Sequence, residues 1–164
     1  MTDRMGALSV ICEHPGEVRT RCLEHFHESF TEHKLVIDKW FMLQALANYD
    51  NALADVQALT KHASFDDSNP NRLRSVYSAF AGSNPGQFHA VGGEGHQWIA
   101  DAVIAIDARN PQVAARLVSP LTRWQRFSDS TASSMKRQLQ RIADSATLSP
   151  DVFELVDKGL SKIE

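Results

Sequence analysis

Apolar residues recur along this chain at three- and four-residue spacings, the period of helices that bury one face. Residues 16–32 place Val18, Cys22, Phe26 and Phe30 four apart. In LVIDKWFMLQALAN, the positions Val36, Ile37, Trp40, Phe41, Leu43 and Ala47 cover more than one face, which predicts a helix packed on two sides. Leu53, Val56 and Leu59 mark a shorter helix. Ile99, Val103 and Ile106 mark another, flanked by Trp98. Met135, Leu139 and Ile142 follow the same rule, as do Val152, Val156, Leu160 and Ile163. No stretch alternates apolar and polar residues between turn pairs as a strand would. Short polar links lie at 48–51, 66–69, 82–85, 92–95 and 127–130. The expectation is an all-α chain of about eight or nine helices, joined as antiparallel neighbours. Stacked helix pairs of the HEAT or armadillo kind, an α-α superhelix, fit this pattern. No strict sequence repeat is visible, so a plain helical bundle stays open on these grounds. Residues 1–164 read as a single helical domain.

Five of the six prolines follow Asn or Ser: Pro70, Pro85, Pro111, Pro120 and Pro150. Asn and Ser cap helices because their side chains accept a bond from a free backbone N–H. Proline suits the first helical position, where its missing N–H costs little. Pro70, Pro111 and Pro150 are therefore predicted to start helices, and Pro85 a short turn ending near His89. Pro120 either kinks a long helix or starts a new one after a break near Val118.

Composition narrows the class. The chain has 164 residues, 43% apolar and 23% charged, with a net charge of −3. That balance is ordinary for a globular domain and argues against a dedicated nucleic-acid binder. No apolar run approaches the roughly 20 residues of a membrane span, and MTDRMGALSV lacks the pattern of a signal peptide. The two cysteines, Cys12 and Cys22, are too few for a disulfide framework or a zinc knuckle. They read as small buried hydrophobes in a reducing, cytoplasmic setting.

The seven histidines raise the question of metal. HESFTEH at 27–33 opens like a zinc-protease helix, but that motif needs a second His four residues after the first, and position 31 is Thr. Solvated helix histidines are expected here. GGEGH at 92–96 has neither a preceding strand nor the Gly-Lys-Ser/Thr of a phosphate loop, and reads as a flexible connector. No GxSxG elbow is present. Arg123 and Arg126 flank Trp124, which fits a core Trp with arginines reaching outward. The remaining candidates stand behind the Asn-Pro pairs: Arg72 and Arg74 after Pro70, and Gln112 and Arg116, four apart on one face, after Pro111. Arginines near a helix start would add to the positive end of the helix and suit a carboxylate. Solvation, or pairing with a nearby acid, is the ordinary alternative.

LVIDKWFMLQ (35–44), SNPNRLRSVYSAFAGSNPGQFH (68–89) and RNPQVAARLVSPLTRWQRF (109–127) closely resemble the C-terminal helical domain of the bacterial aminopeptidase N family, zinc-dependent gluzincin aminopeptidases. The resemblance runs in order over nearly the whole chain. It implies a superhelical cap, a piece of a larger enzyme whose zinc, HExxH ligands and GxMEN motif lie in another domain. None of those motifs occurs here, so the chain itself is expected to be non-catalytic and to hold no metal. In the family this domain closes the catalytic chamber and limits entry to peptides. The resemblance matches Arg74, Gln112 and Arg116 to polar positions facing that chamber, where arginine would steer the peptide carboxylate. Arg72, two residues from Arg74, is expected to point elsewhere. Implied partners are the upstream domains of the same polypeptide and peptide substrates, with no nucleic acid or membrane. Self-association through a cut surface around Leu8 and Ile11 is a further expectation. Two other readings remain at this point: a free-standing helical-repeat adaptor that binds a protein in its groove, and a purely stabilising domain with structural arginines.

Overall fold

A computed structural model of the chain describes residues 2–161. All regular structure among them is helical, without a strand. The chain divides after Asn84 into two compact units.

The first unit contains α1 (Thr2–Cys12), α2 (Glu17–Phe30), α3 (Lys34–Ala45) and α4 (Ala52–Leu59). These are followed by α5 (Pro70–Leu73), a π-helical turn (Arg74–Ser78) and α6 (Ala79–Ser83). Helix α3 is its centre, touching all the others and the π-helical turn. Ile37, Trp40, Phe41, Gln44 and Ala45 of α3 are buried, as its two-sided pattern requires. Trp40 donates its indole N–H to the Leu23 carbonyl of α2 at 2.9 Å, so the ring is buried without stranding its polar atom. Each fully buried large side chain of this kind is worth about 1.5–3 kcal/mol. On α2 the buried face is centred on Leu23 and Phe26; of the predicted stripe, Phe26 is buried, Cys22 and Phe30 are half-buried, and Val18 is 65% exposed. A strict spacing of four drifts around a 3.6-residue helix, so Val18 leaves the contact face. Leu8 is buried and Ile11 half-buried, so the exposed large apolar residues of α1 and α2 are Val10 and Val18, not Leu8. Cys12 is buried as expected, and burial pushes its thiol up to about 11. Cys22 is half-buried.

The second unit contains α7 (Pro85–Phe88), α8 (Glu94–Asp107), α9 (Pro111–Val118), a 3-10 turn (Leu121–Arg126), α10 (Asp129–Ala143) and α11 (Pro150–Leu160). Helix α8 packs on α7, α9 and α10, and α11 packs on α9, α10 and the 3-10 turn. The predicted stripes of α8, α10 and α11 are buried through Ile99, Val103, Ile106, Met135, Leu139, Ile142, Val152 and Val156. Ile163, at the end of the last stripe, lies outside the described residues.

The proline punctuation is realised. Asn69, Asn110 and Ser149 each accept a backbone N–H at their helix start, with proline behind them. Pro120 follows the end of α9 and opens the 3-10 turn, so the helix breaks there instead of kinking. Two caps also carry tertiary bonds. Ser149 donates its hydroxyl to buried Asp107, which also accepts the Ser149 N–H at 2.7 Å. Asn84 is buried and donates its side-chain amide to the Ala45 and Ala47 carbonyls, tying off the end of α3. Trp124 is half-buried. Its N–H reaches the Gly159 carbonyl, and Arg123 and Arg126 stay exposed.

Candidate functional site

The two Asn-Pro starts set out the candidate residues differently. Behind Asn69-Pro70, Arg72 turns inward and is 5% exposed. Its Nε donates to Asp38 Oδ1 at 2.7 Å, a second N–H meets the Ser64 carbonyl, and the guanidinium lies 4.6 Å from the centre of the Phe41 ring. A buried arginine tolerates its charge only with such partners. Arg72 therefore ties α5 to α3 and to the residues before it.

Arg74 begins the π-helical turn, where Ala79 N–H reaches back to the Arg74 carbonyl. Turns of this type widen a helix and are frequent at functional sites. Arg74 is half-buried. Its terminal nitrogen makes a long contact of 3.4 Å with Asn71 Oδ1, and its buried Nε has no hydrogen-bond partner. A buried donor left open in this way calls for an explanation.

Behind Asn110-Pro111, α9 turns Val113, Ala114, Leu117 and Val118 into the core and leaves Gln112 and Arg116 exposed, one turn apart on the outer face. Arg116 occupies the last turn of α9, so its charge complements the negative end of the helix instead of adding to the positive one. Arg74 belongs to the first unit, and Gln112 and Arg116 to the second.

Histidines occupy two further clusters. His27 is not solvated: it is half-buried, packs on Trp40 and His62 and bonds the Ser64 hydroxyl through Nε2 at 2.8 Å. His62 is held below the usual imidazole range by burial and then by the nearby His27 and Arg72. His25 and His33 are exposed. Among the described residues, no three His, Cys, Asp or Glu side chains come together as metal ligands.

In the second unit, His96 is 1% exposed. Its Nδ1 lies 2.9 Å from the Ser134 hydroxyl and its Nε2 lies 3.0 Å from Nδ1 of His89, whose ring packs on Phe127. Burial, then His89 and Arg137, push His96 down to about 4, and burial lowers His89. At neutral pH, His96 is an uncharged link between a serine and a second histidine.

GGEGH proves to be more than a flexible connector. Gly93 caps α8 with φ +74°, where a Cβ would stand 2.1 Å from Ser134 Oγ, and a Cβ on Gly95 would stand 2.7 Å from the Phe88 carbonyl oxygen. These glycines let α7 and α10 approach α8 closely enough for the three-residue relay to form. The sequence held a signal for it, a histidine directly behind closely spaced glycines, but its partners are 7 and 38 residues away.

The helices of both units fit the α-α superhelix class. Residues 1–161 match the family described as "Domain of unknown function (DUF3458_C) ARM repeats", and the chain belongs to that family. Among curated relatives it is similar to aminopeptidase N of Caulobacter vibrioides, with 42% identity over 160 residues, and of Haemophilus influenzae, with 43% over 160. It is 38% identical over 161 residues to aminopeptidase N of Escherichia coli. Each alignment covers 98% of this chain, which spans only 18% of the relative's length. A solved structure of Legionella pneumophila aminopeptidase A, in complex with aspartic acid, matches 99% of the chain with a TM-score of 0.94 and 36% identity. The match occupies 19% of that protein. The chain thus corresponds to the C-terminal helical domain of aminopeptidase N-type proteins.

Proposed function

We propose that the chain works as one non-catalytic helical domain of a longer zinc-dependent aminopeptidase that releases N-terminal amino acids from peptides. In this reading it caps the active-site chamber, limits entry to peptides, and steers their carboxylate with Arg74, Gln112 and Arg116. The observation that carries it is the extent of similarity to aminopeptidase N: nearly all of this chain, but less than a fifth of each relative. The open Nε of Arg74 and the exposed pair Gln112 and Arg116 supply donors of the right kind.

Among the described residues no three candidate ligands converge. The catalytic metal and its chemistry belong, in this proposal, to the remainder of the polypeptide. Among the described residues no helix is long and apolar enough to cross a membrane. A peptide held by its amino end at a distant metal projects its carboxylate away from it, and an arginine there receives charge without touching the scissile bond.

The test is Arg74→Ala and Arg116→Ala in the full-length enzyme, with kinetics across a series of peptide lengths. Steering predicts a length-dependent fall in kcat/KM with the melting temperature retained. Unchanged kinetics at every length with a lowered melting temperature would assign the arginines a structural role and overturn it.

A further inference from the structure

One cavity in the second unit has a chemistry that the steering proposal does not use. It measures about 260 Å³, and buried Gly93 is part of its lining. Its hydroxyls come from Ser130, Thr131, Ser133 and Ser134. His89, His96 and the exposed Arg137 also line it. No carboxylate lines it, since the acids in the neighbouring turns, Glu94 and Asp129, are exposed and stand outside the lining. The polar lining is thus rich in donors and carries one fixed positive charge, the reverse of a cation site.

The relay decides which way Ser134 points its proton. If His96 donates from Nδ1 to Ser134 Oγ, its Nε2 must accept from Nδ1 of His89, and the Ser134 hydroxyl proton is free to turn into the cavity. In the opposite arrangement Ser134 spends its proton on His96 and offers the cavity only lone pairs. A negative ligand therefore selects the first arrangement and favours a second proton on His89. The charged and titratable groups facing the relay are His89, His96 and Arg137.

We propose that this cavity binds a small oxyanion, held by Arg137 and Ser134 and the neighbouring hydroxyls, with the His89–His96 relay turning the Ser134 proton toward it. The shared chemistry is a compact anionic group with several acceptor oxygens, either a phosphate or a carboxylate. Binding takes up a proton at His89, whose titration is otherwise lowered by burial.

The experiment uses the full chain labelled with 15N, titrated separately with inorganic phosphate and with acetate at fixed ionic strength. Expected are saturable shifts confined to Gly93, Ser133, Ser134 and the two imidazoles, with the His89 midpoint raised by about 0.5 pH. Arg137→Ala, a change at an exposed side chain, should weaken binding about tenfold with the melting temperature unchanged. Saturation by phosphate alone assigns a phosphate group, and saturation by acetate alone assigns a carboxylate. Shifts that never saturate with either anion, that persist undiminished in Arg137→Ala, or that leave the His89 midpoint unmoved would overturn the proposal.

Discussion

Among the described residues each unit buries one nitrogen base, Arg72 or His96, and the two do so by opposite means. In the first, Arg72 keeps its charge and surrounds it with Asp38, the Ser64 carbonyl and the Phe41 ring. In the second, His96 gives up its charge and spends both ring nitrogens on neutral partners, His89 and Ser134. Guanidinium cannot be deprotonated in the physiological range, so Arg72 has only the first route, whereas imidazole can take the second. The interior of the first unit therefore depends on an ion pair, and that of the second on a protonation state.

The comparison breaks most visibly at Arg72. Arg72→Ala leaves Asp38 half-buried without its partner and should cost about 3 kcal/mol, read as a shift in the urea midpoint. Arg72→Lys keeps the charge but loses the fork, and should recover only part of that loss. A cost below that of an exposed substitution would mean the pair contributes nothing.

Acid should act most strongly on the other unit. The ordinary imidazole value of 6.5 falls to about 4 for His96, so between these values the unfolded chain binds a proton that the folded chain refuses. Stability is complete above about pH 6.5 and is lost as the pH falls toward 4, by about 3 kcal/mol. Urea melts followed through amide signals of α8 and α10 should show this loss, and His96→Gln should flatten it. A profile that stays flat in the native chain would contradict a neutral buried His96.

Smaller effects sharpen the same contrast. Gly95→Ala forces a Cβ against the Phe88 carbonyl and should cost about 2 kcal/mol, loosening the bond between His89 and His96 without touching either ring. Asn110→Ala and Asn69→Ala each remove one cap and should cost about 1 kcal/mol, the first measured in the second unit and the second near Arg72. Equal losses would show that caps act locally. A larger loss for Asn69 would show that this cap also positions the Arg72 pair.

The helices and their starts were legible because periodicity and capping are local. Asn69-Pro70, Asn110-Pro111 and Ser149-Pro150 each specify a helix start within four residues, and all three carry the cap. What a side chain meets across the unit was not legible. Arg72 could be separated from Arg74 by helix geometry, but not paired with Asp38, 34 residues away. His27 looked solvated in its own helix and is covered by Trp40 and His62 from other segments. His96 looked like part of a loose glycine linker because Ser134 lies on another helix. The π-helical turn at Arg74 had no sequence signature either.

The steering proposal is tested most directly by a ratio measured in the full-length enzyme. The kcat/KM for one tripeptide with a free carboxylate is divided by that for the same peptide as its amide, in the native enzyme and in the Arg74→Ala, Arg116→Ala double variant. If these arginines receive the carboxylate, the native ratio is well above one and the variant's falls toward one, with the amide rate unchanged. A ratio that is identical in the two enzymes, with both folded, would contradict that account.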